Sequence, residues 1–111
     1  MKEGSVILAS FPQADRKIKL RPAVILKIIP PFDDYLVCAI SSQIHNYVEG
    51  LDILIDESHV DFNYWGLPNA GIVRSGMITM ISTEIIKGRI GELSKETYLQ
   101  VVDQLIKFLR N

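Results

Sequence analysis

The chain has 111 residues, 48% of them hydrophobic and 23% charged, with a formal net charge of −1. That size suits one domain with a single core, and the composition excludes a disordered chain. The longest apolar runs fall far short of the ~20 residues a membrane helix needs, and a single cysteine excludes an internal disulfide.

Charge is segregated along the chain. Residues 1–30 carry Lys2, Arg16, Lys17, Lys19, Arg21 and Lys27 against Glu3 and Asp15. Residues 31–70 carry no Lys or Arg, against Asp33, Asp34, Glu49, Asp52, Asp56, Glu57 and Asp61. Such segregation gives a nearly neutral protein a basic face that an anionic ligand feels, or it reflects solvated faces without a partner. The opening Met-Lys-Glu-Gly-Ser sets no basic region ahead of an apolar one, so no signal peptide is expected. The lone Cys38 suits a reducing, cytoplasmic setting.

Ser5–Phe11 (SVILASF) reads as a strand, ended by Pro12 and a polar loop through Lys19. Pro22 cannot donate to a ladder, so it suits a strand's first residue or an edge, and Ala23–Ile29 follows as a buried strand. Tyr35–Ser41 (YLVCAIS) is apolar and β-branched enough to be a third strand covered on both faces. Cys38 lies inside it with no nearby cation in sequence, which predicts a buried, inert thiol. Leu51–Ile55 alternates weakly as a fourth strand, and Asn63–Gly71 (NYWGLPNAG) reads as a loop. Ile72–Ser82 is one strand in which Gly76 invites a bulge or sharp bend. Within Ile85–Leu93 the run KGRIG predicts a tight turn into a short strand.

Ser94 then caps a helix with Glu96 in its first turn and Lys107 and Arg110 at its end, where cations suit the macrodipole. Tyr98, Val101, Val102, Leu105, Ile106 and Leu109 recur at helical spacing. Short antiparallel strands followed by one amphipathic helix predict a mainly β (α+β) single domain over 1–111, a small bent barrel or paired sheets with the helix outside.

Four blocks in this order resemble the PemK/MazF family of toxin endoribonucleases. They are GSVILASFP (Gly4–Pro12) with KLRPAVIL (Lys19–Leu26), AISSQ (Ala39–Gln43), GLPNAGIVR (Gly66–Arg74) and RIGELS (Arg89–Ser94). The resemblance implies an SH3-like barrel that forms a homodimer, binds single-stranded RNA and pairs with an antitoxin protein. It further implies a sequence-selective nuclease that needs neither metal nor cofactor. Position by position, Arg21 matches the family's catalytic arginine, Ser41 a threonine that contacts the scissile phosphate, and Arg74 a second arginine acting as acid or charge stabiliser. Lys19, Ser42, Gln43 and His45 stand beside these positions and are expected to bind RNA. Three positions depart from the pattern: Ser41 replaces threonine, Gly76 stands where some members place an aspartate proposed as general base, and Trp65 replaces a small polar residue.

RNA supplies its own nucleophile, the 2′-hydroxyl, so such an enzyme needs no activated Ser or Cys. It must align that oxygen with phosphorus, move two protons and neutralise the crowded phosphorane. Arg suits the last task through its planar fork and permanent charge. Each candidate also has a plainer reading: Arg21 or Arg74 as a salt-bridge partner, Ser41 and Ser42 as turn residues. The general base stays open between His45, Asp15 and neither. His45, Asp52, Asp56, His59 and Asp61 are metal-type side chains in no known ligand spacing. Tyr64 and Trp65 either stack on a base or fill a protein groove. A non-catalytic module that binds nucleic acid or peptide on the same barrel is the alternative function.

Overall fold

In the computed structural model, which describes residues 1–12 and 14–111, period-two alternation sorts apolar side chains onto the two faces of one curled sheet. The described strands are β1 (Ser5–Pro12), β2 (Ile18–Ile29), β3 (Asp34–Ser41), β4 (Asp52–Ile55), β5 (Gly71–Ile81) and β6 (Ile86–Glu92). Short 3-10 turns lie at Ile44–Asn46 and Thr83–Ile85, and helix α1 spans Lys95–Arg110. Neighbouring strands are antiparallel in the order β4-β5-β3-β2-β1-β6.

Val6, Val24, Leu26, Cys38 and Ile40 turn to one core, completed by Ile53 and Ile55 of β4, Val73 of β5, and Trp65, Leu93 and Val101. Their sequence neighbours Ile7, Ala23, Ile25 and Val37 form a second cluster on the opposite face. The loop between β4 and β5 joins the two edges of the sheet. Its Tyr64 carbonyl accepts the Glu92 N–H at 2.9 Å, and Trp65 fills the interior with no exposed surface. Only glycine fits beside it. A Cβ on Gly91 would meet the Trp65 carbonyl carbon at 2.4 Å, and one on Gly71 would meet its ring at 2.9 Å. The result is the mainly β fold with a C-terminal helix that the sequence predicts, one curled sheet in the small SH3-like barrel form that the resemblance implies.

Local differences have physical reasons. β2 begins at Ile18 rather than Ala23, leaving Pro22 inside a strand. Pro22 pairs with Leu8 of β1, but the β2–β3 ladder starts only at Ala23, so the missing N–H stands at a local edge. The tight turn expected at Lys87–Gly91 is instead part of β6, and irregularities between Val6 and Ile7 and between Leu8 and Ala9 absorb its extra residues. Gly76 does mark a bend. Cys38 pairs with Ile78 and Ala39 with Arg74, so Ser75, Gly76 and Met77 bulge from the ladder.

Ser94 caps α1 as expected, its Oγ accepting the Thr97 N–H at 3.2 Å and donating to Asp61 Oδ2 at 3.1 Å. The apolar stripe reaches the core only in part: Val101 is buried, whereas Ile106 and Leu109 are exposed together with Phe108. The helix, of 16 residues, extends about 24 Å. It packs on β5 and β4, and the four residues of β4 cover only about 13 Å.

Burial pushes the Cys38 thiol from its ordinary 9.0 up to about 12. The stabilisation tied to this group is whole below pH 9.0 and is lost as pH rises toward about 12. At about pH 8 the native protein is expected to resist alkylation and to react once unfolded. Rapid labelling of folded protein would contradict the burial.

Candidate active site

The strand register converges on one cleft. Ala23 of β2 pairs with Ala39 of β3, and Ala39 with Arg74 of β5. Residues two apart on a strand share a face. Arg21, two before Ala23, and Ser41, two after Ala39, therefore extend the same row on neighbouring antiparallel strands. Where Pro22 ends the β2–β3 ladder the strands part, and Arg21, Ser41 and Arg74 line a cleft of about 400 Å³. Apolar side chains, among them Phe11, Val37, Met77 and Ile78, make up most of its walls. Charges over such walls are less screened than in open water.

Ser41 Oγ accepts the Gln43 N–H at 3.1 Å, so its own hydrogen can be given to a phosphate oxygen. Ser41 also borders a second pocket of about 120 Å³, formed with Pro22, Ser42, Trp65 and Leu67. Arg74 is three-quarters buried in its side chain, with Nε 3.8 Å from Oδ2 of the buried Asp52. Arg21 is exposed.

The remaining expected residues lie apart. Lys19 sits on β2 opposite Phe11, and Gln43 and His45 are exposed at the turn after β3. None of the three lines either cavity. Asp15 is exposed and accepts the Lys17 N–H at 3.0 Å. Among the described residues, neither cavity is lined by His, Asp or Glu.

The metal-type side chains serve the fold. Asp61 Oδ2 accepts the backbone N–H and hydroxyl of Ser94, His59 Nδ1 accepts the Asp61 N–H, and Asp56 binds Ser58. No three of them cluster among the described residues. Trp65 is too deeply buried to stack on a base, whereas Tyr64 is exposed. Asp52 is the neighbour that sequence reasoning missed. Its place beside Arg74 depends on the β4–β5 register, which the short run DILI does not reveal.

Two guanidiniums and a hydroxyl over apolar walls, on a small β-barrel, make a site suited to anions. The chain belongs to the PemK-like, MazF-like toxins of type II toxin-antitoxin systems, whose family model matches residues 2–109. Among curated proteins, none matches the chain. Solved structures share the fold. The Mycobacterium tuberculosis toxin MazF-mt6 superposes with a TM-score of 0.71 at 16% identity, covering 96% of each chain. A mycobacterial endoribonuclease in complex with its cognate antitoxin gives 0.70 at 13% identity, covering 99% of this chain and 95% of that one. A MazE-MazF complex from Deinococcus radiodurans gives 0.68 at 14%, covering 98% and 94%.

Proposed function

We propose that the protein is a sequence-selective, metal-independent endoribonuclease toxin that cleaves single-stranded RNA in the cytoplasm and is held in check by a cognate antitoxin. The observation that carries this reading is the convergence of Arg21, Ser41 and Arg74, from three strands, on one cleft. Arg21 and Arg74 neutralise the phosphorane, and Ser41 donates to a non-bridging oxygen while the 2′-hydroxyl attacks. As the O2′–P bond forms the P–O5′ bond breaks, the 2′-hydroxyl proton leaving to solvent water and the departing 5′-oxygen taking one from it, so the products are a 2′,3′-cyclic phosphate and a 5′-hydroxyl. Lys19, Ser42, Gln43 and His45 contact the flanking RNA. The exposed apolar residues Ile106, Phe108 and Leu109 suit the protein contacts of a homodimer or antitoxin complex. Purified, antitoxin-free protein incubated with RNA and EDTA is expected to yield those two end groups. Intact RNA from folded protein overturns the reading.

A second reading has its own support, because no acid or histidine lines the cleft among the described residues and position 76 is glycine. In a non-catalytic module the same cleft binds the strand without turnover. Salt-sensitive RNA binding with no cleavage product favours it.

A further inference from the structure

We infer that Asp52 is a positioning residue for Arg74, turning the terminal nitrogens of that guanidinium into the cleft. The inference rests on the reading that the cleft receives RNA phosphate. Antiparallel pairing of β4 with β5 sets Asp52 directly across from Arg74. Asp52 is 2% exposed, on a four-residue strand whose Ile53 and Ile55 belong to the core. One carboxylate oxygen, Oδ2, accepts the Val48 N–H at 3.0 Å and stands 3.8 Å from Arg74 Nε. The other oxygen, Oδ1, and Arg74 Nε are buried without a hydrogen-bond partner among the described residues.

A buried carboxylate with one neutral hydrogen bond is costly unless a cation compensates it. Arg74 is the cation it meets. The Val48 bond needs only an acceptor, which a neutral amide oxygen would supply as well, so that turn does not account for a buried negative charge. The acid therefore acts on Arg74. Guanidinium is a rigid plane with donors on fixed edges, so turning the Nε edge to Asp52 leaves the Nη edge for a phosphate. At 3.8 Å the Nε–H bond to Asp52 is unmade; completing it requires closure to about 2.9 Å. A phosphate restraining the Nη edge supplies the occasion for that closure, and the bond in turn fixes the fork on the phosphate.

The test is a double-mutant cycle on wild type, Asp52→Asn, Arg74→Gln and the pair, read as affinity for a single-stranded oligonucleotide with 2′-deoxyribose throughout. That probe cannot be cleaved through a 2′-hydroxyl, so the result stands whether or not the protein is a nuclease. Asp52→Asn keeps the Val48 bond and is expected to weaken binding about tenfold, as is Arg74→Gln, with the pair no weaker than either alone. Asp52→Asn combined with Arg21→Ala is expected to be additive. Unchanged affinity, losses that multiply with Arg74→Gln, or tighter binding through release of the guanidinium's charge would overturn the inference. Should Asp52→Asn fail to fold, the Arg74 Nε–H resonance of wild-type protein decides. It is expected to shift and gain protection from solvent exchange on adding the oligonucleotide, and an unmoved resonance overturns the inference. RNA cleavage by the same wild-type protein is measured separately, so loss of the nuclease reading is distinguishable from loss of this one.

Discussion

Arg21→Ala is expected to lower RNA cleavage by at least about 10²–10³-fold, the usual consequence of removing one donor from a site where charge develops. The same change is expected to leave the fold almost untouched. Arg21 is exposed on β2, and the contacts of an exposed charged side chain are typically worth only about 0.5 kcal/mol. For a domain of this size that is about 2 °C in melting temperature. Arg21→Lys separates charge from shape: a lysine keeps the charge but loses the fork, so only a small part of the activity should return. Cleavage rates on one RNA, with thermal melts on the same preparations, decide it. A melting temperature many degrees lower for Arg21→Ala would reassign the residue to the fold.

Trp65→Ala is expected to have the opposite profile, a large loss of stability with activity lost only as the barrel opens. Trp65 is fully buried in the core cluster to which β1 to β5 and α1 all contribute, and truncating such a residue costs roughly 3–5 kcal/mol. Set against a typical total of about 5–15 kcal/mol, that is a large fraction of all the stability the domain has. The melting temperature should fall by roughly 10–20 °C. Trp65→Phe should fall less, because it keeps one ring and removes an indole N–H that has no partner among the described residues. A melt of Trp65→Ala within a few degrees of wild type would contradict the claim that this side chain closes the barrel. Opening the barrel would reach the site through β5, since the Trp65 ring rests against Gly71, three residues before Arg74.

How much of this was legible beforehand depended on the range of the interaction. The apolar, β-branched runs SVILASF and YLVCAIS, and the Ser94 cap with its helical stripe, are local signals, and the corresponding elements appear within a residue or two. Gly76 marked the bend in β5 because a glycine inside a strand has a local conformational meaning. KGRIG misled because its glycines serve irregular pairing with β1, a partner some 80 residues earlier in the chain, rather than a turn. Trp65 misled for a similar reason. An aromatic among turn formers looks exposed until the glycines that make room for it, Gly71 and Gly91, are brought alongside by the fold.

At the site, Arg21, Ser41 and Arg74 were legible from motifs, and their convergence required the β2–β3–β5 register. Pro22 links the two levels. It ends the β2–β3 ladder through a property visible in the sequence, and the parted strands expose the cleft. Asp52 was legible only as an acid. Lys19 and Gln43, at the ends of their motif blocks, and His45, just past one, stand outside the cleft that Arg21, Ser41 and Arg74 line.

The most direct measurement is a crystal structure of the protein with single-stranded RNA carrying 2′-deoxyribose at the cleavage position. The expected result is one phosphate in the cleft, within hydrogen-bond reach of the Arg21 guanidinium, Ser41 Oγ and the Nη edge of Arg74. An RNA strand lying along the exposed end of α1 or over the acidic loop between β4 and β5, with that cleft unfilled, would contradict it.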